Sequence, residues 1–336
     1  MKTKQLIIAI LATSSFLVSC KDDAPSPSST TEQNSVIALD AETLYTSLEK
    51  TLTTDEQKVF FRAGFNGDET KAAEVQQNKE LMTIYYSGAT IGGQTQLAKR
   101  GLENGFSPTH GLIMASIANR VDIAKLMLEK GAIADIELMT PETEQMKIYP
   151  AQDIRLISLA AAYGNKEIVE LLLENGTDIE DALYGAAYGG HIELIQLLIN
   201  KGAHISCALE GASFSGRKDI VTYLMDKGEG LKYGLLAAAR AGHMDIVNMY
   251  LEKGVNPCYG LEGAAIGGHL EIAQLMLDKG ANLYNDALRY AAYCGHIDIV
   301  KLLLAKGDNP KKAISAAKEG GHPEIVELLK NAGAKE

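Results

Sequence analysis

A glycine followed by one polar residue or two recurs along this chain at Gly164, Gly190, Gly216, Gly242, Gly268, Gly295 and Gly321, in steps of 26, 26, 26, 26, 27 and 26 residues. So short and regular a period confines the chain to architectures built from one repeated supersecondary unit. The fourth residue before each glycine is Ala, from Ala160 to Ala317, and the seventh is Leu or Ile, from Ile157 to Ile314. An apolar pair follows each glycine, from Ile168-Val169 to Ile325-Val326, and then a triplet such as Leu171-Leu172-Leu173. A second glycine closes each unit twelve residues on, at Gly176, Gly202, Gly228, Gly254, Gly280, Gly307 and Gly333. The same frame extends upstream through Asn119, Gly93 and Gly67, so that ten units fit.

Each unit reads as two helices. The first is short and carries small residues where it lies close to its neighbours; the second has the i, i+3, i+4 apolar spacing of a helix buried on one side. The first glycine permits the turn between them and the second supplies a positive-φ stop. One such pair cannot bury its own apolar face, so stacking supplies the core. Lys330 replaces the third Leu of the triplet in the last unit, as a solvent-facing end requires.

The run from Ala186-Ala187-Tyr188-Gly189-Gly190-His191 to Gly202-Ala203 resembles the ankyrin repeat signature, and its recurrence in register carries the resemblance over roughly residues 85 to 334. The resemblance implies an all-α, ankyrin-type solenoid of stacked helix-turn-helix repeats that binds another protein. Ankyrin units run 33 residues, whereas these run 26, and the missing seven correspond to the hairpin loop. Between Asn119 and Gly164 the spacing is 45, which leaves an insert at about 135–155 that contains Glu137, Met139, Glu142, Glu144, Met146, Tyr149 and Asp153. It is the one long loop of the repeat region and a candidate for function.

The N-terminus has a different character. Lys2 and Lys4 precede an apolar stretch from Leu6 to Val18, and Leu17-Val18-Ser19-Cys20 sets small residues before a Cys. Thirteen residues fall short of the about 20 that cross a bilayer, so the segment reads as an export signal. It resembles the signal peptide of bacterial lipoproteins, which implies that Cys20 is the lipidated first mature residue and the membrane anchor. Lys21-Asp22-Asp23 resembles the tail that sends some such lipoproteins to the outer cell surface; an outer-membrane lipoprotein facing the periplasm or the outside is the expectation. The chain thus divides into a signal peptide (1–19), the lipidated Cys20 with a flexible Pro/Ser/Thr linker (20–35), an N-terminal helical cap with a degenerate repeat (36–80) and the solenoid (81–336).

The net charge of -11 becomes -13 without Lys2 and Lys4, which excludes a nucleic-acid partner because phosphates demand a basic face. His191, His243, His269, His296 and His322 each follow a turn glycine, too far apart in a helix stack to share a metal; they read as turn-stabilising residues at second-helix starts. Cys207, Cys258 and Cys294 read as unpaired, with Cys294 open to exposure. Adjacent acids such as Glu180-Asp181 read as solvated loop charge. Neither a catalytic motif nor a phosphate loop is present, so no enzyme activity and no cofactor or metal is expected.

The positions two and six residues before the turn glycine carry aromatic, apolar and Arg side chains without an evident core role. Tyr184, Tyr188, Phe214, Arg240, Ile266, Arg289 and Tyr293 form the expected partner-binding strip, because such residues anchor interfaces. The competing reading is lateral packing of the aromatics between units. A monomer that binds a protein partner is expected, with an inhibitor or immunity protein against a toxin, or a self-associating structural envelope protein, as alternatives.

Overall fold

The computed structural model describes residues 41–138, 154–227, 229–282 and 286–334. Cys20, most of the insert and Gly228 lie outside the described residues. The chain separates into two compact units, the first ending at Leu198 and the second beginning at Ile199.

The first unit opens with helices Ala41–Glu49 and Asp55–Asn66 and a short 3-10 turn at Glu69–Lys71. Four helix pairs follow: Lys79–Ile91 with Thr95–Glu103, Pro108–Ile117 with Val121–Glu129, Leu156–Ala162 with Lys166–Glu174, and Ile179–Gly189 with Ile192–Asn200, whose last two residues belong to the second unit. The second unit holds five pairs: Ile205–Phe214 with Lys218–Met225, Leu231–Ala241 with Met244–Glu252, Pro257–Gly267 with Leu270–Asp278, Ala287–Cys294 with Ile297–Ala305, and Ile314–Glu319 with Pro323–Asn331. The class is the all-α helix-pair stack the period implied. The one departure among the described residues is a two-residue antiparallel pairing of Glu137–Leu138 with Ile154–Arg155, which closes the base of the insert. Arg155 holds it there, with one guanidinium nitrogen 2.6 Å from Asp135 and another 3.2 Å from Asp181. Glu180 and Asp181 are therefore not loop residues: they occupy the first turn of Ile179–Gly189, where an acid complements the helix dipole.

The apolar registers form the core. Ile168, Val169 and Leu172, or Ile299, Val300 and Leu303, turn one face of each second helix inward and are essentially inaccessible. First helices approach one another backbone to backbone: a Cβ on Gly263 would run into the Leu236 carbonyl of the preceding pair. Lys330 is exposed, as the last unit requires.

Every turn glycine of the frame has positive φ, Gly242 for example at 82°, and Asn119 at 53° is the one non-glycine residue among those described to share it. The residue after the turn is not a local stabiliser as the sequence suggested. It reaches back to the preceding pair and donates to the carbonyl two residues before that pair's own turn. Gln94 Nε2 donates to Phe65 O at 3.0 Å and Arg120 Nε to Ile91 O at 2.9 Å, while Asn165 Nδ2 is shared between Ser116 O at 2.8 Å and Ile117 O at 3.3 Å. His191, His243, His269 and His296 lie 2.9, 3.1, 3.1 and 3.0 Å through Nε2 from the carbonyls of Ala162, Phe214, Arg240 and Ile266. A carbonyl only accepts, so Nε2 carries the proton in all four. These acceptors sit at helix C-termini, where carbonyls lack intrahelical partners. The ring also needs the turn glycine: a Cβ on Gly242 would stand 2.5 Å from the His269 ring and one on Gly268 2.7 Å from that of His296.

One histidine lies outside this series. His110 is 4% exposed, with Nε2 2.9 Å from Ser87 Oγ. Ser87 spends its own proton on Thr83 O at 2.7 Å, so His110 donates through Nε2, and its Nδ1 has no hydrogen-bond partner. Burial pushes its pKa down to about 4.

Two outcomes follow. Gly242→Ala, which meets both the positive φ and the imidazole, lowers the unfolding free energy from urea titration by more than the about 1 kcal/mol of a simple glycine effect, and His269→Ala lowers it by roughly 1 kcal/mol through the orphaned Arg240 carbonyl. For His110, the unfolded chain takes up a proton near 6.5 that the folded chain refuses until about 4. Stability is therefore full above 6.5 and declines as pH falls through that window, by up to about 3 kcal/mol; in urea titrations across pH, His110→Gln flattens the decline.

Candidate functional site

Residues i, i+3 and i+7 of a helix share a face. In the second unit this sets Cys207, Glu210 and Phe214 beside Tyr233, Leu236 and Arg240, then Tyr259, Glu262 and Ile266, and then Arg289 and Tyr293, on four successive first helices. Small residues on the opposite register let these helices close up, which brings the rows into one surface.

The expected strip is only partly accessible. Phe214, Arg240 and Arg289 are half-buried, whereas Ile266 and Tyr293 are 5% and 3% exposed. Tyr293 clusters with Cys294 and with Ala316 of the following pair, so it serves lateral packing. In the first unit Tyr188 is likewise 4% exposed, against a half-buried Tyr184 with its ring centroid 6.5 Å away. Burial thus corrects the strip at Tyr188, Ile266 and Tyr293: a partner does not reach these side chains, which are core residues that stiffen the stack.

The accessible part is richer than the strip. The row nine residues before the turn carries Tyr233, 44% exposed, and half-buried Tyr259. Lys232 Nζ lies 4.7 Å from the centroid of the first ring and 6.0 Å from that of the second. The missed signal was the i−3 continuation of a strip read only at two positions per helix. The Arg240 guanidinium stacks over Phe214 at 5.5 Å, a distance at which a cation is drawn to a ring face. Burial raises the Glu210 carboxyl and Arg240 draws it down; Glu262 is raised by burial and then by Asp286. Arg289 pairs with Asp286 at 3.1 Å and lies 4.8 Å from the Tyr290 ring.

None of this assembles a nucleophile with a base. Cys294 is buried, not exposed, and burial pushes its thiol up to about 11, away from the reactive thiolate. Among the described residues no group of three or more His, Cys, Asp or Glu is placed to hold a metal ion, and no helix is long and apolar enough to cross a membrane. The surface offers aromatic rings and cations on a fixed scaffold, which is the chemistry of non-covalent recognition.

A family model described as ankyrin repeats (3 copies) matches residues 157–234, 235–314 and 261–336. Among solved structures, the ankyrin repeat domain of human ASB11 is similar at 20% identity, covering 58% of this chain and 96% of that one, with a TM-score of 0.34. No curated protein matches the chain.

Burial separates the strip residues by experiment. Tyr293→Ala removes a buried ring and costs on the order of 3 kcal/mol in thermal or urea unfolding, while Phe214→Ala, half-exposed, costs clearly less.

Proposed function

Because the chain belongs to the ankyrin repeat family, a protein-protein interaction module, we propose that it is a membrane-anchored, non-catalytic binder that takes its partner on the first-helix face of its repeats. The observation that carries this reading is the surface built from Phe214, Arg240, Tyr233 and Tyr259, aromatic and Arg side chains mounted on helices whose ends are tied to one another. Such side chains lose little freedom on contact, so less of the contact energy is consumed in ordering them. Tyr184 and Arg289 extend the accessible set within their own units; Tyr188, Ile266 and Tyr293 support it from beneath.

The anchor is the second part of the proposal. Lys2, Lys4, the apolar run to Val18 and Cys20 support lipidation at Cys20, and two or three acyl chains suffice for stable attachment where one alone is marginal. Lys21-Asp22-Asp23 supports the outer membrane, on either its periplasmic or its outer face. The acidic balance supports a protein rather than a nucleic acid as partner. An inhibitor or immunity role is a narrower form of the same reading. A self-associating envelope protein differs from it in running as an oligomer without any partner, whereas the binder runs as a monomer on size-exclusion chromatography.

Fractionation tests the anchor and capture tests the binder. Cys20→Ser moves the chain from the membrane to the soluble fraction, and continued sedimentation with membranes defeats lipidation. Cross-linked capture of a partner falls at least tenfold in the Phe214→Ala, Tyr233→Ala double variant with the fold intact by circular dichroism; undiminished capture defeats the proposed face.

A further inference from the structure

The second unit mounts two cations on one helix without giving either an acid. Five other cations of the unit do pair with an acid: Lys218 with Asp245 at 3.4 Å, Lys253 with Asp226 at 2.8 Å, Arg289 with Asp286 at 3.1 Å, and Lys301 with Asp298 and Lys312 with Asp308, each at 3.4 Å. Arg240 and Lys232 make no ion pair with any described residue, and each is held against aromatic rings instead, Arg240 on Phe214 and Lys232 by Tyr233 and Tyr259. Glu210 lies near enough to Arg240 to feel its charge, yet forms no hydrogen bond or ion pair with it among the described contacts. An Arg fork stacked on a ring is pre-organised for a planar, bidentate acceptor.

We propose that the partner presents an extended acidic segment to this face, with one carboxylate on the Arg240 guanidinium and a second on the Lys232 ammonium. This rests on the interaction-module reading and names the chemistry of its partner. Lys232 and Arg240 are eight positions apart on Leu231–Ala241, about 12 Å along the axis at about 1.5 Å per residue. In an extended peptide that distance separates acids about four residues apart. Apolar side chains between the acids lie over Leu236, 7% exposed, with Phe214 and Tyr233 to either side. The charge of the whole chain turns away polyanions such as nucleic acid, in which phosphates extend beyond these two cations, and admits a short segment whose charge is local.

The test is panning of a random dodecapeptide display library on the full chain. Enriched peptides carry Asp or Glu pairs three to five residues apart, and a synthetic copy binds at least tenfold more weakly to Arg240→Gln and to Lys232→Gln. Both variants melt as the parent does. Arg240→Lys, which keeps the charge and loses the fork, falls between the parent and Arg240→Gln. Enriched peptides without acids that nevertheless lose binding on Phe214→Ala overturn the acidic assignment and leave the interaction reading standing; absence of any enrichment overturns both. Retention of phosphatidylglycerol vesicles in place of peptides, abolished by Arg240→Gln, also overturns the proposal, because the ligand is then a membrane surface.

Discussion

Within each unit the stack depends on one hydrogen bond, from the side chain that follows a turn to the carbonyl that precedes the turn of the pair before it. It satisfies an acceptor that the helix end leaves open and sets the distance between successive first helices. It also explains where the chain tolerates extra length. His191 and Ala162, His243 and Phe214, and His269 and Arg240 are each 29 residues apart, yet Asn165 and Ile117 make the same bond across 48. The insert lies between the second helix of one pair and the first helix of the next, within the stretch the bond spans, and the pairing of Glu137–Leu138 with Ile154–Arg155 closes its base.

The bond asks for a donor of the right reach, not for one residue type. Gln94, Arg120, Asn165 and four histidines perform it, which is why the position looked variable in the sequence while the geometry is constant. The glycine before it has two reasons to be glycine, a positive φ and the ring or guanidinium that occupies the space of its Cβ. Asn119 meets the first requirement as the residue type that best tolerates a left-handed backbone after glycine.

What was legible in the sequence is what repeats. The period, the two helices, the apolar registers and the turn glycines all follow from residues recurring at fixed offsets, and Asn119 was identified as a turn by position alone. What varies from unit to unit was not legible. Phe214 and Tyr293 occupy the same offset, but one is half-open and the other is closed off with Ala316. Cys294 is covered by the same neighbourhood. Asp181 looked like loop charge because its partner, Arg155, stands at the base of the insert, distant in sequence and beside it in space. The row of Tyr233 and Tyr259 was visible in principle, since a helix face that shows two offsets shows the third.

The bond that builds the stack also shapes its surface. The carbonyls of Phe214, Arg240 and Ile266 are the acceptors for His243, His269 and His296, so the residues that tie one pair to the next are those whose side chains make up the face. Their backbone is held from the following pair and their side chains are left to whatever the neighbours permit: a ring beneath a guanidinium at Phe214 and Arg240, burial at Ile266. Glu210 shows what that fixed arrangement costs, because its carboxyl is raised by burial and Arg240 only partly offsets the effect. A scaffold free to relax would bring the two together as an ion pair. Here the guanidinium stays on the ring without an ion pair, which is the condition in which an incoming carboxylate finds a donor already in place.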